Sequence, residues 1–485
     1  MFANIPKAVP FILCSIFFER YTSGGLAGET KVISKVNFVI KKIFSATMSL
    51  FFNRKLGYDP NVSTALFHTY ECLVFSFTIV GAIIADKWLG LYKTLLSMSF
   101  MYVLGIAFLV VGSVEPLNLP VKVFVLTGLL IAVIGVGSIK SNSNTFAANQ
   151  YNMDQTAQLS AYFSMQYFCM KSGSIIGRFF NPILRQDVKC FGMNDCYPIA
   201  FAVPVIAMML SLTILICGRS FYTHKPKIEN MFIKVCACLL NGVKEKFKSH
   251  KSNPKDHWLD YSEEKFGVKL VDETKMVVNT LLLFLPIPVF WTLHMQQGSR
   301  WVFQATKMNG SIGWYTIKPD QMIIFNSVFS LMMIPTFQKI IYPLISKIGI
   351  KRPLQKMAIG FLVASASFVI AAVLEIQIEK QEMHILWMLP QYFVLASAEI
   401  MVFVQNLDFA YSEAPASMKS VMLSFVYLMS AVGNLFMVFI SGTRIFESQV
   451  YEFLFFAGLM IVAMILFVLL AVRYKYVKND DSVEK

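Results

Sequence analysis

Apolar runs of about twenty residues recur along this chain, and that repetition constrains its fold more than any other feature. They cover 8–28, 63–85, 91–113, 120–139, 157–179 and 197–217. After a long polar stretch come 276–294, 321–346, 355–375, 385–405, 420–441 and 452–473. Roughly 20 residues of α-helix cross a hydrocarbon core about 30 Å thick. Phe, Leu, Ile and Val fill the runs without alternation, so they predict helices rather than the strands of an outer-membrane barrel. Only 15% of the 485 residues are charged and 56% are hydrophobic, whereas soluble domains carry about a quarter charged residues. The expected fold class is therefore an all-α membrane protein with about twelve transmembrane helices.

The net charge of +14 calls for no nucleic-acid partner, because the basic residues gather in particular loops. Lys244, Lys246, Lys248, Lys251 and Lys255 lie in 218–275, and Lys347, Lys351, Arg352 and Lys356 lie in SKIGIKRPLQK (346–356). Basic short loops remain cytoplasmic. With twelve spans both loops fall on one side, which puts both termini in the cytosol. The expected division is 1–217, a basic linker 218–275, 276–473 and a tail 474–485. Nothing at the amino terminus reads as a cleaved signal peptide.

This topology places the sequons at Asn61 and Asn309 outside, as glycosylation candidates. Cys190 and Cys196 also fall in an outer loop, where a disulfide can persist, although spacing alone does not set its geometry. Cys236 and Cys238 sit in ENMFIKVCACLLNGVKEKF, whose apolar and basic residues suit a helix lying on the inner membrane face.

The linker divides the spans six and six, the layout of major-facilitator transporters, whose halves are structural repeats. GAIIADKWLGLYK (81–93) and PLISKIGIKRPLQK (343–356) are short basic turns with glycine at corresponding places in the two halves. Ionisable residues inside the runs locate a site. A charge at mid-bilayer costs about 2.5–3.5 kcal/mol on insertion scales, so such residues face a bundle interior or an aqueous cavity. Glu19, Arg20, His68, Glu71, Lys140, Lys171 and Glu399 meet that description, and their convergence from several helices predicts a polar central cavity. Mutual neutralisation of buried cations and carboxylates is the plainer alternative. No nucleophile triad, metal motif or phosphate loop points to an enzyme, and GVGSIK lacks P-loop spacing.

Several stretches in order resemble the proton-dependent oligopeptide transporter family, and within it the animal peptide transporters. They are FFERYTSGG, STALFHTY (63–70), GAIIADKWLGLYKT, IAVIGVGSIK, FWTLHMQQGSRWVFQAT (290–306), IKPDQM (317–322) and AEIMVFVQNLDFAYSEAPASMKS (398–420). The resemblance implies symport of di- and tripeptides with a proton as coupling ion and no cofactor. It implies substrate binding at Arg20, Lys140, Tyr167, Trp291, Asn326 and Glu399, with Lys171 an added cation at a cavity position. Glu19 and His68 would handle the proton, and Glu71, three residues after His68 on the same helix face, is a further proton candidate. Glu399 would receive the peptide's amino terminus, while Arg20 and Lys140 would draw its carboxylate. The location implied by default is the plasma membrane. His294, near the end of its run, reads as a packed or interfacial histidine.

The chain departs from the pattern at Ile16, Ser23-Gly24, Lys171, Asn279, Met295, Gln338 and Val426, and only EIQIEKQEMH joins the ninth and tenth runs. Two alternatives to peptide symport stay open: a transporter with altered substrate or coupling, and a non-transporting sensor or partner-binding relative. Residues 28–45, rich in charge, match nothing in the resemblance. They are expected to be either a gene-model error or an insertion looped out of the bundle.

Overall fold

The computed structural model describes residues 6–26, 59–117, 119–151, 156–190, 196–223, 231–249, 255, 257–415, 418–443, 445–446, 448–474 and 476. The expected insertion at 28–45 lies outside them. So do FGMND between the two loop cysteines and most of the tail.

Helices dominate. In chain order they are α1 (Ala8–Leu26), α2 (Pro60–Ile84), α3 (Leu91–Ser113), α4 (Val121–Ala148), α5 (Thr156–Asp187) and α6 (Tyr197–Cys217). A linker helix α7 (Met231–Ser249) follows, then α8 (Val268–Leu283), α9 (Ile287–Met295), α10 (Arg300–Thr306), α11 (Ile323–Thr336) and α12 (Tyr342–Lys347). The chain ends with α13 (Pro353–Lys380), α14 (Leu389–Glu399), α15 (Gln405–Glu413), α16 (Lys419–Thr443) and α17 (Gln449–Arg473). A two-stranded hairpin, Ser311–Ile312 against Tyr315–Thr316, turns at Gly313 before α11.

Among the described residues, nine helices are long and apolar enough to span a membrane, and a tenth is the pair Val268–Leu283 and Ile287–Thr306, bent by 53°. Pro286 and Pro288 stand at that break, where proline removes a donor and clashes with the preceding turn. The two runs that miss the apolar criterion are α1 and α5, which carry Glu19 and Arg20, and Lys171 and Arg178. They pack along each other, and α1 also packs on α6. Their charge belongs to the interior, so composition undercounts them as spans. Large apolar side chains instead face outward elsewhere: Leu130, Phe439, Val462 and Leu469 are each more than half exposed, as a lipid-facing surface requires and a soluble one avoids.

Two hydrophobic cores divide along the sequence at the linker. One runs from Ala8 to Tyr222 and the other from Val235 to Phe467. Helix α2 packs on α16, and α5 on α11, to join the two groups. The two glycine turns recur as their sequence spacing predicts. Gly90 follows a π-turn at Ala85–Leu89 with φ 77°, and Gly349 follows α12 with φ 89°. A side chain there would be strained by the left-handed backbone, not by its neighbours, since nothing lies within 4 Å. Within α4, Gly135 and Gly137 serve packing instead. A Cβ would meet Met98 O at 2.7 Å from Gly135 and Val74 O at 2.5 Å from Gly137, so GVGS lets α3 and α2 approach α4 closely.

Helix α7 forms where a surface helix was expected. Cys238 is buried against Leu259 and Val271, whereas Leu240 and Phe247 are exposed beside Lys244, Lys246 and Lys248. Cys190 and Cys196 form a disulfide, with Cα atoms 5.3 Å apart.

A polar chain holds α1, α5 and α6 together. Pro204 inside α6 cannot donate to the carbonyl of Ala200, four residues earlier. Asn181 Nδ2 donates to that oxygen at 3.2 Å, and Tyr21 Oη donates to Asn181 Oδ1 at 3.3 Å. Asn181→Ala should strand the Ala200 carbonyl in a buried setting. The expected loss is about 1–3 kcal/mol, read as a lower unfolding temperature in detergent, and an unchanged temperature would show that the carbonyl finds another donor.

Candidate functional site

The interior site centres on Glu399, the last residue of α14, where the helix passes directly into a π-turn at Ile400–Val404. Such single π-turns re-aim side chains and gather at functional positions. Both oxygens of the Glu399 carboxylate are engaged. Lys171 Nζ of α5 donates to Oε1 at 3.2 Å. Asn326 Nδ2 and Ser330 Oγ of α11 each donate to Oε2 at 3.1 Å. The side chains of Lys171 and Glu399 are 17% and 10% exposed, so this is a buried ion pair. Tyr167, one turn before Lys171, has its ring centroid 5.5 Å from the ammonium.

His294 is drawn into the same cluster. Its Nε2 lies 3.4 Å from Glu399 Oε2. Among the described residues neither ring nitrogen makes a hydrogen bond, so the contact is electrostatic proximity. Its ring stacks on Phe290 at 5.8 Å and meets Trp291 edge-on at 5.4 Å. The reading of His294 as merely packed is thus incomplete. The packing is there, and so is the carboxylate. Trp291 itself lies in an aromatic group with Phe403 at 5.2 Å and Phe75 at 6.4 Å.

A second cluster lies on the N-terminal group. Arg20 Nε is 3.0 Å from Glu19 Oε2, at an angle that makes no hydrogen bond, and Glu19 Oε1 has no partner among the described residues. Lys140 Nζ lies over the Phe75 ring at 4.4 Å, within electrostatic reach of Glu71, Arg20 and Glu19. Ile16, where the resemblance implies an acid, is buried and lines a cavity with Glu19, Ser143 and Ser211. Arg178 lies within electrostatic reach of both Glu71 and Glu399, and its Nη1 donates to Ser327 Oγ at 3.3 Å. Asn279 and Gln338 are both exposed and carry no charge to pair.

His68 is completely buried between the helix groups. Its Nδ1 lies 2.7 Å from Asn434 Oδ1 and its Nε2 2.9 Å from Ser299 Oγ. Asn434 Nδ2 donates to Ser430 O at 2.9 Å, which orients the amide and makes Oδ1 the acceptor of the Nδ1 proton. The neutral ring then accepts from the Ser299 hydroxyl, and a protonated ring would donate to it after the hydroxyl turns. His68 can therefore gain a proton without losing either neighbour.

Ser299, Ser330, Asn434 and Arg178 are the members that sequence reasoning passed over, and His294 is one it read as packed or interfacial. Arg178 was visible as a cation near the end of an apolar run. The small polar residues gave no such signal, because serine and asparagine are common in helices of this kind. Further contacts join the two groups on the side carrying the disulfide: Arg300 Nη1 donates to Asn61 Oδ1 at 3.1 Å, and Gln321 Nε2 to Phe179 O at 3.4 Å. Arg300 Nε also donates to Glu452 Oε1 at 2.8 Å, and Lys307 pairs with Glu375. Asn309 is exposed, with its Oδ1 accepting from the Ser311 backbone at 3.0 Å.

Two joined groups of helices with a buried ion pair where they meet make up a fold of the major-facilitator type. A family model described as the POT family matches residues 92–444, and the chain belongs to that family. "Peptide transporter family 1" of Drosophila melanogaster is 40% identical over 376 residues, 77% of this chain and 48% of the relative. "Solute carrier family 15 member 1" of Homo sapiens is 35% identical over 394 residues, 78% of this chain and 53% of the relative. The chain spans about half the length of the curated relatives it matches. A crystal structure of the POT family transporter PepTSo superposes with a TM-score of 0.80 at 24% identity, covering 98% of this chain and 99% of that one.

Removing one partner of a buried pair leaves an uncompensated charge, at a cost of about 3–5 kcal/mol, whereas removing both is often close to neutral. Lys171→Met and Glu399→Gln should each lower the unfolding temperature clearly, and the double variant should recover most of the loss. Additive losses in the double variant would mean that the two side chains are not coupled.

Proposed function

We propose that this chain is a proton-coupled symporter of di- and tripeptides, working by alternating access in the plasma membrane with both termini cytosolic. The observation that carries this reading is the buried polar cluster of Lys171, Glu399, Asn326 and Ser330, shared between helices α5, α11 and α14 of the two groups. A site whose ligands come from both groups senses their relative motion, so substrate and proton can bias one state over another only through contacts that differ between the states.

The proton partner in this reading is His68. An imidazole can carry a proton on either ring nitrogen, and both neighbours of His68 belong to the opposite helix group. Protonation reverses the Ser299 hydrogen bond at the place where the two groups meet. The peptide carboxylate is drawn toward Arg20 and Lys140, and the amino terminus toward Glu399. Glu399 already holds Lys171, which favours a second reading of the same build with altered substrate preference.

The test is uptake of a labelled dipeptide by cells expressing the chain at the surface. Uptake should rise with an inward proton gradient and fall to background without it, and indifference to the gradient would remove proton coupling. His68→Gln should reduce gradient-driven accumulation roughly tenfold while leaving downhill exchange measurable, because only the titrating group is lost. Normal accumulation by that variant would exclude His68 as the proton carrier.

A further inference from the structure

We infer that Lys171 is a built-in ammonium that occupies the amine receptor of the site, so that the chain favours small peptides whose amino terminus is blocked or uncharged. This rests on the peptide-transport reading and specifies its substrate class.

Both oxygens of the Glu399 carboxylate already have donors. Oε1 accepts from Lys171, and Oε2 accepts from Asn326 and Ser330, with His294 Nε2 3.4 Å away. Lys171 is itself held, by this bond and by the Tyr167 ring 5.5 Å from its ammonium. A substrate ammonium approaching Glu399 meets the Lys171 ammonium and has to displace it or lie against it. Displacement gives back one charge-assisted bond and breaks another, and it leaves a second buried cation beside the first. Arg178, within electrostatic reach of Glu399, makes that neighbourhood still less receptive to added positive charge.

A substrate with an acylated amino terminus demands no exchange. Its carboxylate still has the cations Arg20 and Lys140 of the N-terminal group to meet. Selectivity is a difference between two affinities, and a like charge built into the receptor is a direct way to produce one. The usual advantage of a free amino terminus is thereby cancelled or reversed by a residue of the chain itself.

The experiment compares uptake of dialanine and Nα-acetyl-dialanine by cells expressing the wild-type chain, Lys171→Arg and Lys171→Gln. The wild type and Lys171→Arg should take up the acetylated compound at least as well as the free one. Lys171→Gln should shift the ratio toward the free amine by about tenfold or more, since its Glu399 is open to a substrate ammonium. A wild type that prefers dialanine by about tenfold, as a single lost charge-assisted bond would predict, overturns the inference. So does a ratio that Lys171→Gln leaves unmoved. Thermal stabilisation of the purified wild-type protein by each compound separates this inference from the transport reading beneath it and needs no variant to fold. Stabilisation by the acetylated compound without any uptake would uphold the occupied receptor and sink transport. Stabilisation by dialanine alone, or by neither, would sink the occupied receptor.

Discussion

The ion pair between Lys171 and Glu399 is the contact on which the interior depends. Each charge would be costly alone in a bilayer interior, and each is stabilised by a partner on the other helix group. The remaining buried charges follow the same logic less completely. Arg20 and Glu19 are neighbours, Lys140 lies on an aromatic face, and Arg178 reaches toward two carboxylates. A helix such as α5 can hold two cations and still lie in the bundle because α1 and α11 cover it.

This arrangement places rigidity and polarity in different parts of the molecule. Within the N-terminal group, glycines bring α3 and α2 onto α4, and Asn181 repairs the carbonyl that Pro204 leaves in α6. The C-terminal group is fastened by Arg300 with Glu452 and by Lys307 with Glu375. Between the groups, α2 packs on α16 and α5 on α11, and the polar contacts there are made by side chains that can change partners: a histidine, a lysine, serines and amides. Two stiff bodies joined by exchangeable polar contacts suit a motion in which one body moves against the other.

Much of the fold was legible in the sequence because membrane insertion is governed by local composition. The bounds of α3 and α6 coincide with the apolar runs at 91–113 and 197–217. The bend near Pro286 was not foreseen, nor was the extension of α4 to Ala148 beyond its apolar part. Helices continue past the bilayer wherever polar residues with adequate propensity follow, and an apolar count does not see them. Among site residues, His68, Lys140, Lys171 and Glu399 stood out as charges in apolar surroundings. His294 was undervalued, since its significance depends on a carboxylate more than a hundred positions later in the chain.

The sequence by itself determined that the chain is helical, that it belongs in a membrane, and which residues bring charge into it. Those properties follow from periodicity and transfer cost, which act over one helix at a time. Only the tertiary structure decided who meets whom. His68 meets an asparagine 366 positions away and a serine 231 positions away, and Lys171 meets an acid 228 positions away. Pairings at that range depend on how the helices are packed, which no single stretch of the sequence records.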